Sequence, residues 1–256
     1  MNALPTLDMP RQRLVAAYLE EARSELRRYL RNPGFLLPII LFPNVFYLMF
    51  GVLLNHGNGE AGRFMLASYS TFGVMAPGLF GFGVSLALER GSGLLVFKRA
   101  LPMPPGAYLL GKMLMAMCVA AVVGALLLAV ALGVADAGLT LAQAGRLLLV
   151  DTLGVLPFCA LGLLIGTLLK GQGAPGLLNM VYLPMAFLAG VAIPLFALPP
   201  MVRTLAPLWP AYHLNQLAHA AIGQPAEGAV GVHLGVLLAF AAICFAIARR
   251  RLARAD

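Results

Sequence analysis

Charge is scarce in this sequence: 11% of its 256 residues are Asp, Glu, Lys or Arg, against 61% that are hydrophobic. A water-soluble domain ordinarily carries about 25% charged residues, so this balance cannot build a water-soluble surface. Cysteine is nearly absent. Cys118, Cys159 and Cys244 all fall inside apolar runs without Cys-x-x-Cys or Cys/His spacing, which argues against zinc or a disulfide framework and leaves them as small buried hydrophobes. No Gly-x-x-x-x-Gly-Lys-Ser/Thr loop occurs, so the chain cannot cradle nucleotide phosphates by the usual route. His-Glu-x-x-His is missing, and Gly83-Val84-Ser85-Leu86 lacks the second glycine of a rhomboid-like nucleophile turn, so an intramembrane hydrolase is disfavoured. There is no repeat of fixed period and no low-complexity tail. The first thirty-four residues are polar and Arg-rich with no early small-residue cleavage site after them, so the first span is expected to stay in the mature protein.

What remains is long apolar runs. A helix needs about 20 apolar residues to cross a hydrocarbon core of about 30 Å, and six stretches qualify, at roughly 35–54, 64–88, 108–134, 147–169, 174–198 and 228–248. Each run is continuously apolar, not alternating, which selects helices over a β-barrel. The fold class is therefore an all-α membrane protein with one domain: a segment 1–34, a six-span body 35–248 and a basic tail 249–256.

The formal net charge of +8 does not describe a nucleic-acid footprint, because the cations gather beside the ends of apolar runs and not on one aromatic-laced face. Fifteen of the eighteen Lys and Arg fall on one side: Arg11, Arg13, Arg23, Arg27, Arg28, Arg31, Arg90, Lys98, Arg99, Lys112, Lys170, Arg249, Arg250, Arg251 and Arg254. Arg63, Arg146 and Arg203 fall on the other. The positive-inside rule puts the first group, and with six spans both termini, in the cytoplasm. A multi-pass protein of the bacterial inner membrane is expected.

Three segments carry more than topology. From Arg11 to Leu30, Leu14, Tyr18, Ala22 and Leu26 recur at four-residue spacing with charges opposite, as in an amphipathic helix lying in the membrane interface. Asn32-Pro33-Gly34 then turns the chain into the first span. The loop Glu89–Gly106 begins with a charged pair and two glycines, exposes Leu94, Leu95 and Phe97, and closes on Pro102, Pro104 and Pro105; a short helix held below the membrane is expected there, needing either a partner or lipid to cover its apolar side. Phe187–Leu217 is rich in proline and ends on Trp209 and Tyr212, residues suited to a membrane interface. After Leu198 it is expected to form short helices at the outer surface.

Polar residues inside apolar runs are few. Asp151 in the fourth span is an expensive group in lipid, and Arg146, five residues earlier, is a partner for it near the outer surface, with a proton or substrate role as the alternative. His213, His219 and His233 could suggest a metal site, but His213 and His219 stand six apart, on different helix faces, and the three are read as interface histidines. Asn179 and the hydroxyls of Ser68, Ser70, Thr71 and Ser85 are available for interhelical hydrogen bonds. Phe42, Phe46, Tyr47 and Phe50, with Tyr182 and Phe187, are candidates to line a substrate path, packing being the competing duty.

Arg27-Arg28-Tyr29-Leu30-Arg31-Asn32-Pro33 resembles the basic stretch and Arg-Asp/Asn-Pro step of the ABC type-2 transporter permease family. Glu89-Arg90-Gly91-Ser92-Gly93, then Pro102 and Tyr108-Leu109-Leu110-Gly111-Lys112, resembles its second-loop series. Leu188-Ala189-Gly190 to Ile193-Pro194, with Leu198-Pro199 and Pro207 to Tyr212, resembles its fifth-span signature. The resemblance covers nearly the whole chain, in the right order. Gly91 stands where a second acid is usual, and Ser92-Gly93 invert the usual Gly-Thr.

The resemblance implies the six-helix membrane domain of an exporter of drugs, lipids or lipid-linked glycans. It implies a dimer, with a second copy or a related permease, and two cytoplasmic ATP-binding subunits that carry ATP and Mg; no cofactor or metal is expected on this chain. The interfacial helix (Leu14, Tyr18, Leu26, Arg27, Arg28) and a coupling loop (Glu89, Arg90, Gly93, Leu94, Phe97, Lys98, Arg99, Pro102) would touch those subunits. A secondary transporter is the alternative, disfavoured by a single off-centre acid and the lack of two related halves.

Overall fold

The computed structural model describes residues 11–55, 58–94, 105–135, 137–169 and 171–254. Among these the chain is helical, with no strand. Helix α1 spans Arg11–Leu30. Helix α2, Pro33–Phe46, opens on a proline at its first position, where no amide donor is needed, and continues as a π-helical stretch Tyr47–Leu53. Helix α3 runs Gly59–Gly91, α4 Pro105–Gly133, α5 Leu141–Leu168 and α6 Ala174–Leu188. Helices α7 (Pro200–Leu205) and α8 (Pro210–Ala221) lead to α9, Val230–Arg254.

The ends of the long helices are written locally. Asn58 caps α3 by accepting from the amides of Glu60 and Ala61, and Thr140 with Gln143 forms a reciprocal capping box at α5. Both caps sit where an apolar run begins.

Among the described residues, five helices are long and apolar enough to cross a membrane: Pro33–Leu53, Gly59–Gly91, Gly106–Gly133, Leu141–Leu168 and Val230–Leu252. The fifth expected span, 174–198, is α-helical over Ala174–Leu188. Its helix stops at Leu188, where Val191 N–H closes a turn onto Ala186 C=O at 3.0 Å with Gly190 at φ 75°. Fifteen residues at about 1.5 Å each reach about 22 Å, short of the about 30 Å core. The apolar stretch beyond is broken by Pro194, Pro199 and Pro200 into a 3-10 turn, Leu195–Ala197, and exposed α7.

Helix α3 is the hub. Its most apolar window is 83% buried within the protein, against 22% for the first span and 17% for α9, and it packs on α2, α4, α5, α6 and α8. Helix α8 is also interior, not a surface helix: Pro210 to His219 are all buried, between α3, α5 and α9. The end of the bundle that holds the starts of α3 and α5 is tied together at one atom, the carbonyl oxygen of Ile222, which accepts from Arg63 at 2.6 Å and from Gln143 at 2.9 Å. Cys159 and Cys244 are buried as expected, whereas Cys118 faces outward.

Candidate functional site

At the opposite end of the bundle, four charged side chains from three helices meet. One line of α1 (Leu14, Tyr18, Ala22, Glu25, Tyr29) turns toward the body of the protein, and Val15, Leu19 and Leu30 form a second, exposed apolar line. The inward line lands on the first turns of α4. Gly111 lets the two backbones come close: a Cβ there would lie 3.2 Å from the Ala22 amide nitrogen and 3.2 Å from Glu21 Cγ. One turn further, Glu25 replaces an apolar residue on that line.

Glu25 reaches Lys112, which is fully buried. Lys112 Nζ donates to Glu25 Oε2 at 3.0 Å, to Glu89 Oε1 at 3.0 Å, and to Ser85 Oγ. Arg28 donates to Glu89 Oε1 at 2.5 Å and to Ser85 Oγ at 3.0 Å, and lies 3.6 Å from Glu25. Tyr108 O–H donates to the second oxygen of Glu89 at 2.6 Å, while its ring sits 4.9 Å beneath the Lys112 ammonium. Among the described residues, two carboxylates and two cations thus form a cluster that binds α1 to the end of α3 and the start of α4. Burial works against the Arg28 charge, but the fields of Glu25 and Glu89 outweigh it and its pKa moves up.

Next to this cluster, Arg90 leaves α3 in the other direction and donates to the Gly166 and Thr167 carbonyls at 3.3 and 2.5 Å. It thereby satisfies acceptors that the last turn of α5 leaves open. All four long helices α2 to α5 are within reach of this end through α1 and α3.

The expected coupling residues divide. Glu89 is 3% exposed, so its carboxylate is turned inward, and Arg90 is spent on α5. Gly93 and Leu94 are exposed. Phe97, Lys98, Arg99 and Pro102 lie outside the described residues. In the interfacial helix, Arg27 is exposed while Arg28 is held in the cluster. Glu25, Ser85, Tyr108 and Lys112 had not been singled out as a site. Gly106 and Gly111-Lys112 even have the spacing of a phosphate loop, but Met113 follows, the segment is helical, and the lysine is locked in the cluster.

Of the candidate path residues, Phe42, Phe46 and Phe50 stack at centroid distances of 6.0 and 5.9 Å. The strip continues through Tyr69 and Phe72 of α3 to Tyr182 of α6. Phe42 and Phe50 are exposed along it. Tyr47 departs from this face: one residue on from Phe46 it is turned by about 100°, and it is fully buried against Gly51. Phe187 is exposed at the end of α6, with no ring partner among the described residues.

The residues matched by the model of the family described as ABC-2 type transporter are 20–222. The chain belongs to the ABC-2 type transporter family. The match takes in the whole ionic cluster, the aromatic strip and α8. The chain is also 28% identical over 206 residues, covering 77% of this chain and 81% of the relative, to YvfS of Bacillus subtilis (strain 168), which is named as a transport permease. The protein is thus a multi-pass membrane permease subunit, and its five long apolar helices accord with that.

In this permease the expected Asp151–Arg146 pair is not formed. Five residues at about 100° each place the two about 140° apart around α5; Arg146 is exposed and Asp151 is fully buried. Neither carboxyl oxygen has a hydrogen-bond partner. Ser70 lies beside it on α3, but its hydroxyl donates to the Ala67 carbonyl at 3.0 Å. Room for the carboxyl comes from Gly124, where a Cβ would stand 2.9 Å from Oδ2. An amide of the same shape carries no charge to desolvate. Asp151→Asn is therefore expected to insert normally and to withstand heating in detergent at least as well as the parent. Intact thermal stability with lost transport would instead assign Asp151 a transport role.

Proposed function

We propose that this permease is the membrane half of an ATP-driven exporter of the bacterial inner membrane, working as a dimer with a second copy of itself and two cytoplasmic ATP-binding subunits. The observation that carries this reading is the cluster of buried Glu25, Glu89 and Lys112 with Arg28 at its edge. It fixes α1 to the same end of α3 and α4 from which exposed Gly93 and Leu94 lead out. A subunit pressing on α1 or on the segment after Leu94 would move α3, and α3 packs on α2, α4, α5, α6 and α8. The bias of Lys and Arg supports a cytoplasmic position for this end.

ATP and Mg belong to the partner subunits in this reading. The exposed faces of Phe42 and Phe50, continuous with a strip that reaches Tyr182, support an apolar or amphipathic cargo such as a drug, a lipid or a lipid-linked glycan. The path would lie between two copies of the chain.

Co-expression with an ATP-binding subunit encoded beside it is the direct test: the two are expected to purify together. Phe97→Asp should lower transport-coupled ATPase activity and export several-fold while membrane insertion stays normal. Unchanged export in that variant would overturn the docking of the partner at this loop. The alternative, a secondary transporter, draws its support from unpaired Asp151, and it predicts export that continues without ATP.

A further inference from the structure

His213 of α8 and His233, in the first turn of α9, face each other with their Nδ1 atoms 2.8 Å apart. The remaining nitrogens are both committed to carbonyl oxygens. His213 Nε2 lies 2.9 Å from Pro207 O, and His233 Nε2 lies 2.6 Å from Glu227 O. A carbonyl oxygen only accepts, so each Nε2 must carry a hydrogen. Two neutral imidazoles own one ring N–H apiece, and these two contacts use both. The facing Nδ1 atoms would then direct lone pair against lone pair at hydrogen-bond distance.

One further hydrogen between the rings removes the conflict. A metal does not fit the same gap, since two His–Zn bonds of about 2.0–2.1 Å in line would hold the nitrogens about 4 Å apart. We propose that His213 and His233 form a proton-binding site, holding a single proton between their Nδ1 atoms, so that the pair carries one positive charge shared by α8 and α9. The family match ends at residue 222, so His233 lies beyond it, and the inference stands on this geometry independently of the exporter reading.

The surroundings are arranged for one charge. Both rings are buried. Tyr212 packs its ring edge-on to both, at 5.3 and 6.0 Å, and its hydroxyl donates to the Glu227 carboxylate at 2.8 Å, which places an anion on the same loop. Gln216 of α8 accepts from the Glu227 amide at 2.8 Å and so fixes the carbonyl that holds His233. The other titratable groups on the elements around the pair have different engagements. Arg203 of α7 donates to the Leu198 and Phe196 carbonyls, Arg63 of α3 donates to Ile222, and His219 of α8 packs on Phe64 and Ser68. Glu60 and Arg146 are exposed, and Asp151 is buried along α5. Burial and the field of His233, acting against the Pro207 contact that favours the charged ring, leave the His213 imidazole below its usual range, which accords with refusal of a second proton.

The sign of the pH dependence follows. In the unfolded chain two independent imidazoles titrate near about 6.5, whereas the folded pair keeps one proton. Below about 6.5 the unfolded chain binds more protons than the folded pair, so acid weakens the α8–α9 contact; well above it the folded pair binds more, so alkali weakens the contact too. The contact is tightest near neutrality.

Ring-nitrogen NMR on the full-length protein in lipid nanodiscs, with 15N-histidine, tests this without any mutation. The expected spectrum near neutral pH shows two Nε2–H groups and one averaged, shared Nδ1 proton, one charge for the pair. Two neutral rings, or two rings titrating together as ordinary imidazoles, would overturn the proposal. Hydrogen-exchange protection across residues 210–235, corrected for the intrinsic pH dependence of amide exchange, is expected to fall about tenfold on acidification in the parent and to lose that dependence in His233→Phe. A His233→Phe variant that folds and keeps the parent's pH dependence would overturn it as well.

Discussion

A Lys112→Leu permease is expected to lose the docking of α1 and most of its accumulation in the membrane. Lys112 is fully buried, and its ammonium touches both Glu25 and Glu89 at 3.0 Å. Removing it takes a 3.0 Å ion pair from each of two buried carboxylates. Breaking a buried pair from one side costs about 3–5 kcal/mol, a large part of a net stability of about 5–15 kcal/mol. Hydrogen exchange along residues 11–30 is expected to rise by orders of magnitude, with steady-state levels falling several-fold. Adding Glu25→Gln and Glu89→Gln to the same variant removes the stranded charges and should restore much of the level. A single Lys112→Leu variant with native protection of α1 would show that the cluster contributes nothing to docking.

Gly162→Val is expected to yield no folded protein. Helices α3 and α5 cross at this residue so closely that a Cβ on it would stand 2.7 Å from the Gly78 carbonyl oxygen and 2.8 Å from that of Leu79. From the other side, a Cβ on Gly78 would meet Phe158 Cβ at 2.7 Å and the Cys159 amide nitrogen at 2.9 Å. Those neighbours are backbone or the root of a side chain, so none can rotate away. Overpacking costs about 1–3 kcal/mol where side chains can adjust, and here α3 itself would have to move off α5, together with every helix that packs on it. Small residues are what let membrane helices come this close. Gly145→Ala on the same helix meets nothing within 4 Å and serves as the control. Size-exclusion profiles in detergent should show a monodisperse control and an aggregated Gly162→Val; a monodisperse Gly162→Val would mean the crossing is looser than drawn.

Hydropathy and the placement of arginines were enough to read the long spans, because length and continuity of apolar residues are what the bilayer selects. The stop of α6 at Leu188 was not legible in that way. Leu188 to Leu198 is as apolar as the helix before it, and what ends the helix is a turn at Gly190 followed by Pro194 and Pro199. The aromatic strip was half legible: four-residue spacing joined Phe42, Phe46 and Phe50, but it could not show that Tyr47 points elsewhere or that Tyr69 and Phe72 bridge to Tyr182. The ionic cluster was the least visible, since Glu25 and Lys112 are 87 residues apart. Its sequence signal was an acid on the inward line of α1, between Ala22 and Tyr29, and a lysine inside an apolar run. Asp151 was visible as an anomaly, but Arg146 was the wrong partner because neighbours in sequence at that interval do not share a helix face.

The contacts among Glu25, Arg28, Glu89 and Lys112 are mutual, and that limits how the cluster can come apart. Pulling out Glu25, Glu89 or Lys112 alone strands opposite charge in a part of the cluster nearly closed to water, whereas parting α1 from α3 and α4 as a whole lets water enter and solvate the members together. Dissolved salt has little purchase on contacts so shielded. The junction therefore behaves less like a spring than like a latch with two positions, shut or flooded, and while it is shut α1 and α3 turn as one lever.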